Sequence, residues 1–203
     1  MASTLKINNL DTASGTTITI PTGKQLIGTD NSTFVAPGMI LQTISGTFTG
    51  TTSKSGTSYS DIDSSLNLSI TPKFSTSKLF YTGNIILGAQ DDATALIRIL
   101  QNNVEIGSGA SAGSRSTAHT GLNYWYLQTL QGDNDQYYEC FSCPIHHLTS
   151  AAVGTTSAIT VKPQIVNADT SGVSIFVNRS MNDGNSVWQA RFASSFTVQE
   201  IAQ

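Results

Sequence analysis

Charge is scarce in this 203-residue chain: charged side chains make up only 11% of it, against roughly 25% in ordinary soluble domains. Lysine and arginine number 10 and aspartate and glutamate 13, a net charge of -3. No basic surface is on offer to a phosphate backbone, so no nucleic-acid partner is expected. Cys140 and Cys143 are the only cysteines. Two do not make a disulfide framework, and they fit synthesis in a reducing cytosol. No apolar run approaches the ~20 residues of a membrane helix, so membrane insertion is not expected. The opening MASTLKINNLDTASG has no apolar core of secretory type. Helical periodicity is missing as well: no ten-residue window carries apolar residues at i, i+3, i+4 and i+7 between convincing caps. HExxH and P-loop patterns are absent, and the reading is of a protein that is not an enzyme and needs no cofactor.

Serine and threonine take the place of charge, at about a quarter of the chain, and threonine favours strands. Strand-length runs punctuated by Gly, Asn, Ser and Thr fill the sequence, which predicts an all-β fold. The central stretch is residues 64–87, SSLNLSITPKFSTSKLFYTGNIIL, read as two strands of a hairpin. Leu66, Leu68 and Ile70 alternate with polar residues in the first, and Pro72 closes it. The second puts Leu79, Tyr81, Ile85 and Leu87 on one face and Phe80, Thr82 and Ile86 on the other. Apolar residues on both faces point to a sandwich interior or to an interface between chains, so Phe80 and Ile86 are candidate chain-to-chain contacts.

Residues 1–38 differ from residues 39–203. Their short apolar runs, including Ile18 and Ile20, are too brief to bury a face within one chain. They predict a β-stranded stem in which several chains wind together, with Ile18 and Ile20 as further contacts between copies. From Met39 onward a continuous series of roughly eight to ten strands is expected, the number in a jelly roll or related sandwich. Asn102-Asn103 reads as a tight hairpin turn, because asparagine tolerates positive φ. Pro163 implies an edge strand or a bulge.

Candidate chemistry is thin. Cys140, Cys143, His146 and His147 offer soft ligands for zinc, but an extended chain would turn the two cysteines to opposite faces. No metal is therefore expected there. Asp61/Asp63, Asp91/Asp92 and Asp133/Asp135 could supply the carboxylate pair of a glycoside hydrolase, although turn aspartates that bond nearby backbone N–H groups are the plainer account. Polar loops at 107–121, 131–136 and 180–187 are the candidate receptor-contact surfaces, with Arg115, His119, Asp133, Asn134, Asp135, Asn182, Asp183 and Asn185 as contacts. Trp125, Tyr137, Tyr138 and Trp188 could stack on sugars or anchor a protein.

The phrases STLKINNL, LSITPKFSTSKLFYTG, IRILQNNVEIGSGASAGS and VNRSMNDGNSVWQARFASSFTVQEIAQ resemble a family of bacteriophage fibre proteins common among phages of cyanobacteria and other marine bacteria. The resemblance covers most of the chain from Met39 onward and the eight residues 3–10 near its start. It implies an N-terminal attachment stem and a trimeric C-terminal jelly-roll-like knob. The implied function is that of a virion structural protein, a homotrimeric tail fibre. Residues 1–38 would join it to other virion proteins, and its distal knob would meet a host cell-surface glycan or protein. A capsid-decorating fibre or cement protein that touches only virion proteins is the alternative, and a small polysaccharide depolymerase is a second.

Overall fold

The computed structural model describes residues 22–25, 35–90, 93–123, 138–169 and 172–203. Outside them lie Ile18, Ile20 and most of the expected stem, Asp91 and Asp92, Trp125, Asp133, Asn134, Asp135 and Tyr137. Val35–Gln203 forms one compact unit. Among the described residues no helix is long and apolar enough to cross a membrane.

The unit is all-β, as the composition and spacing predict. In chain order the strands are β1 (Ile40–Phe48), β2 (Thr52–Lys54), β3 (Ser60–Asp61), β4 (Leu68–Ile70), β5 (Lys78–Ala89), β6 (Thr94–Gln101), β7 (Val104–Ile106), β8 (Thr120–Asn123), β9 (Phe141–Leu148), β10 (Ile159–Asn167), β11 (Ile175–Val177) and β12 (Ser194–Ile201). All pairings are antiparallel and fall into two sheets. In the first, β5 is flanked on one side by β12 and β11 end to end and on the other by β9, while β1 and β2 pair outward of β12 and β11. In the second, β10 lies between β6 and the short strands β3 and β4, while β7 and β8 share the far side of β6.

Alternation along each strand decides what is buried. Leu79, Tyr81, Ile85 and Leu87 of β5 meet Cys143 and Ile145 of β9, Ile97 and Ile99 of β6 and Val161 and Ile165 of β10 in a single cluster. Both sheets thus cover one core, consistent with a β-sandwich. Phe80, Thr82 and Ile86 lie half-buried on the opposite face of β5, as the sequence pattern predicts.

The hairpin expected over residues 64–87 is not formed. Residues Ser64–Leu66 make a 3-10 turn capped by Asp63, whose carboxylate accepts from Ser65 N–H. Leu66, Leu68 and Ile70 are buried in alternation, but β4 pairs with β10, and β5 pairs in the other sheet. Residues 71–77 are therefore a crossover between sheets. What pins the crossover is Glu200 of β12, with no exposed surface. Its carboxylate accepts from the N–H groups of Lys73 at 2.8 Å and Phe74 at 3.1 Å and from Gln42 Nε2 at 2.7 Å.

Three smaller features refine the sequence reading. Ile40 is exposed while Ile44 and Phe48 pack against the core, because a register shift between Ile40 and Gln42 breaks the alternation. Asn102 and Asn103 do make the tight turn between β6 and β7, at φ 49° and 64°. Pro163 sits on the central strand β10. Even-numbered residues there bond toward β6, since Asn102 N–H donates to Thr160 O and Ala168 N–H to Thr94 O. The Pro163 nitrogen therefore faces the interval between β4 and β3, where no ladder donor is required.

Candidate functional site

The two sheets have very different outer faces. On the second sheet the face is a continuous polar network. Asp61 of β3 accepts from Gln164 Nε2 (2.7 Å), Asn67 Nδ2 (3.0 Å) and Lys162 Nζ (2.9 Å to one oxygen, 3.0 Å to the other). Gln164 accepts in turn from Arg98, whose guanidinium pairs with Glu105 and lies 4.0 Å over the Tyr59 ring. Burial pushes the Asp61 carboxyl up, but the bonds from Gln164, Lys162 and Asn67 outweigh it and hold the group below the usual range. Asp63 is held low by the Ser65 N–H. Both carboxylates are thus tied to structural partners, and neither has the raised pKa of a general acid.

On the first sheet the outward residues are Thr43, Ser45 and Thr47 of β1, Ser195, Thr197, Gln199 and Ile201 of β12, Phe80, Thr82, Asn84 and Ile86 of β5, and Ser142, Pro144, His146 and Leu148 of β9. Of the described strand residues on this face, Lys78 alone carries a formal charge. Phe80 is cross-strand to Leu148, and Ile201 is cross-strand to Ile40. Leu148 and Ile40 are 50% and 53% exposed, so an apolar strip at the Lys78 end of β5 is open to solvent. Ile86 stands toward the other end, opposite Ser142.

The four candidate zinc ligands do not converge. Cys143 faces the core and His146 the outer surface, Cys140 precedes the strand, and His147 stacks on Tyr81 with ring centroids 6.2 Å apart. Burial pushes both cysteine thiols up to about 11, which keeps them protonated and poor as ligands. Among the described residues no group of three or more His, Cys, Asp or Glu side chains could hold a metal ion.

His119 takes a role that sequence reasoning did not assign. Its Nδ1 is 2.9 Å from Gly107 O, and its Nε2 accepts the His146 backbone N–H at 3.2 Å. It is half-buried and engaged, not a free surface contact. His147 meets it edge-on at 6.2 Å, and burial, followed by the nearness of His119, holds the His147 imidazole below its usual range. Beside them a 280 Å³ cleft is lined by Gln101, Ile106, Gly107, His147 and residues 149–153. Tyr81 donates from below to Gln101 Oε1 at 2.7 Å.

The remaining candidates lie in loops. Arg115 is exposed and bonds Ala112 O within its own loop. In the loop between β11 and β12, Asp183 is held by Arg179 at 3.6 Å and by Arg191, and Asn182 O accepts from Ser180 Oγ. Arg179 also covers the Phe176 ring at 4.2 Å, and the Arg179–Ser180 backbone crosses Gly88 too closely to leave room for a Cβ. Asp183 therefore shapes the loop, while Asn185, Val187 and Trp188 face solvent. Asp61, Arg98 and Glu200 were also missed as organising residues. Most of their partners are distant in sequence, so no local spacing marks the networks they hold.

No protein-family model and no curated protein matches the chain.

Proposed function

We propose that this chain is a virion structural protein, the trimeric fibre subunit of a phage, with residues 1–38 docking to the particle and the β-unit meeting a host surface. The observation that carries the reading is the outer face of the first sheet. It is nearly uncharged, rich in serine and threonine, and open along Phe80, Leu148, Ile201 and Ile40. A chain that surrounds charge with partners on one sheet and leaves the other bare has a surface suited to its own copies. Counted as eight rows in chain order among the described residues, the sheets run 1-8-3-6 and 2-7-4-5, which supports a jelly-roll β-sandwich. Three copies of one knob raise the effective concentration of weak receptor contacts and turn them into adhesion. The loops around Arg115 and around Asn182 and Asn185 are the contact surfaces.

Two measurements test this. Light scattering on the purified chain should give three times the 21.5 kDa mass of one chain; a monomer at micromolar concentration rejects the trimer. Antibody labelling of intact particles should place the β-unit on projecting fibres. Label lying flat on the shell would replace the fibre with a cement protein.

A further inference from the structure

One imidazole fastens residues 107–119 to β9, and the chemistry of that fastening is one-sided. The Gly107 carbonyl only accepts and the His146 N–H only donates. His119 must therefore carry its proton on Nδ1, for Gly107 O, and a lone pair on Nε2, for His146 N–H. Only the neutral Nδ1–H tautomer satisfies both partners. A second proton would land on Nε2 and face the His146 N–H donor to donor.

Among the described residues, no group around the ring offsets such a charge. β9 presents His146 and His147, the latter edge-on to His119. Glu105 of β7 is turned to Arg98 and accepts from Thr117 Oγ1 at 3.3 Å. Tyr59 donates to Thr117 O, and Arg115 reaches Ala112 O. From β6, Ile97 contributes only its carbonyl, to His119 N–H. Tyr81 of β5 lies behind His147 and is bonded to Gln101.

The bond also guards a sheet edge. Thr149 N–H donates to Leu79 O, so odd-numbered residues of β9 bond toward β5 and even-numbered ones point outward. Pro144 has no N–H to present there, and His119 occupies the next outward donor, that of His146. Both devices blunt an edge that could pair with a foreign strand.

We infer that His119 is an acid-released latch: protonation of its Nε2 detaches residues 108–118 from β9 and uncovers the His146 N–H on the edge of β9 that pairs with no other described strand. This regulates the 107–121 loop, and it rests on the fibre reading only in making that loop a host-contact surface.

The test is amide hydrogen exchange by mass spectrometry on the full chain at pH 8 and pH 5, spanning the interval in which histidines gain a proton, with rates normalised for intrinsic exchange. Protection of residues 108–118 and of His146 should fall about tenfold at pH 5, the scale of one lost hydrogen bond. Protection of β5 and β10 should not change. His119→Gln can donate to Gly107 O and accept from His146 N–H at both pH values, so it should stay protected at both; His119→Ala should be open at both. Equal wild-type protection at the two pH values overturns the latch. So does a pH response in H119Q as large as the wild type's, or a loss that spreads equally to β5 and β10, which is unfolding. If the latch responds as expected but the protein is not a fibre subunit, the labelling experiment fails alone.

Discussion

The outer faces of the two sheets use the same backbone geometry and opposite chemistry. On the second sheet, Asp61, Lys162, Gln164, Arg98 and Glu105 satisfy one another across four strands. On the first, Phe80, Leu148, Ile201 and Ile40 lie among hydroxyls and amides, and Lys78 is the one charged residue among the described outward positions of its strands. A chain with 11% charged residues has few charges to place, and it concentrates them where no partner is needed. The bare face is then a consequence of allocation, and apolar surface left open is where association gains most.

The largest expected effect breaks the first face. Phe80→Asp or Ile86→Asp should abolish the proposed trimer, dropping the mass by light scattering threefold, whereas Thr160→Asp on the second sheet should leave it intact. A trimer that survives Phe80→Asp would make the two faces equivalent. Next comes Glu200→Ala, which strands the Lys73 and Phe74 N–H groups in the interior and should cost about 3 kcal/mol in urea unfolding. Glu200 also sets a pH dependence. Burial pushes its carboxyl up, but the bonds from Lys73, Gln42 and Phe74 outweigh that and hold it below the usual range. Its contribution is therefore complete above the unfolded value of about 4.3 and declines as pH falls through the folded one. Stability should thus drop under acid in the wild type and less steeply in Glu200→Gln.

Arg98→Ala tests the other face. It removes two bonds to Gln164, the pair with Glu105 and the stacking on Tyr59. The expected cost is about 1–2 kcal/mol without any change of oligomeric state. A change in mass would show that the second sheet also takes part in assembly. The smallest effect is Asn103→Ala, which puts an alanine at φ 64° and should cost about 1 kcal/mol.

The sequence carried the parts of this fold that depend on near neighbours. Alternation in Leu79–Leu87 predicted which side of β5 is buried, and Asn102-Asn103 predicted its turn, because both are local. The hairpin at 64–87 went wrong for the same reason: alternation marks a strand but says nothing about its partner, and Leu68–Ile70 finds β10 some ninety residues away. Pro163 points its missing donor into a break between two strands, which only the assembled sheet reveals. His119 needed Gly107 and His146 placed beside it, and Glu200 needed the crossover it holds.

The pairing of β1 with β12 has a consequence for how the unit is made. Ser45 and Thr197 hydroxyls meet at 2.8 Å across 152 residues of chain, and Gly38 N–H donates to Ala202 O. During synthesis, β1 emerges long before its partner exists, and loop closure over such a span is slow. Until then its nine residues stay unpaired and carry no charge. Where several copies are made side by side, a waiting strand of this kind can find a sister chain before its own. Order of emergence, as much as surface chemistry, would then favour folding and assembly in a single step.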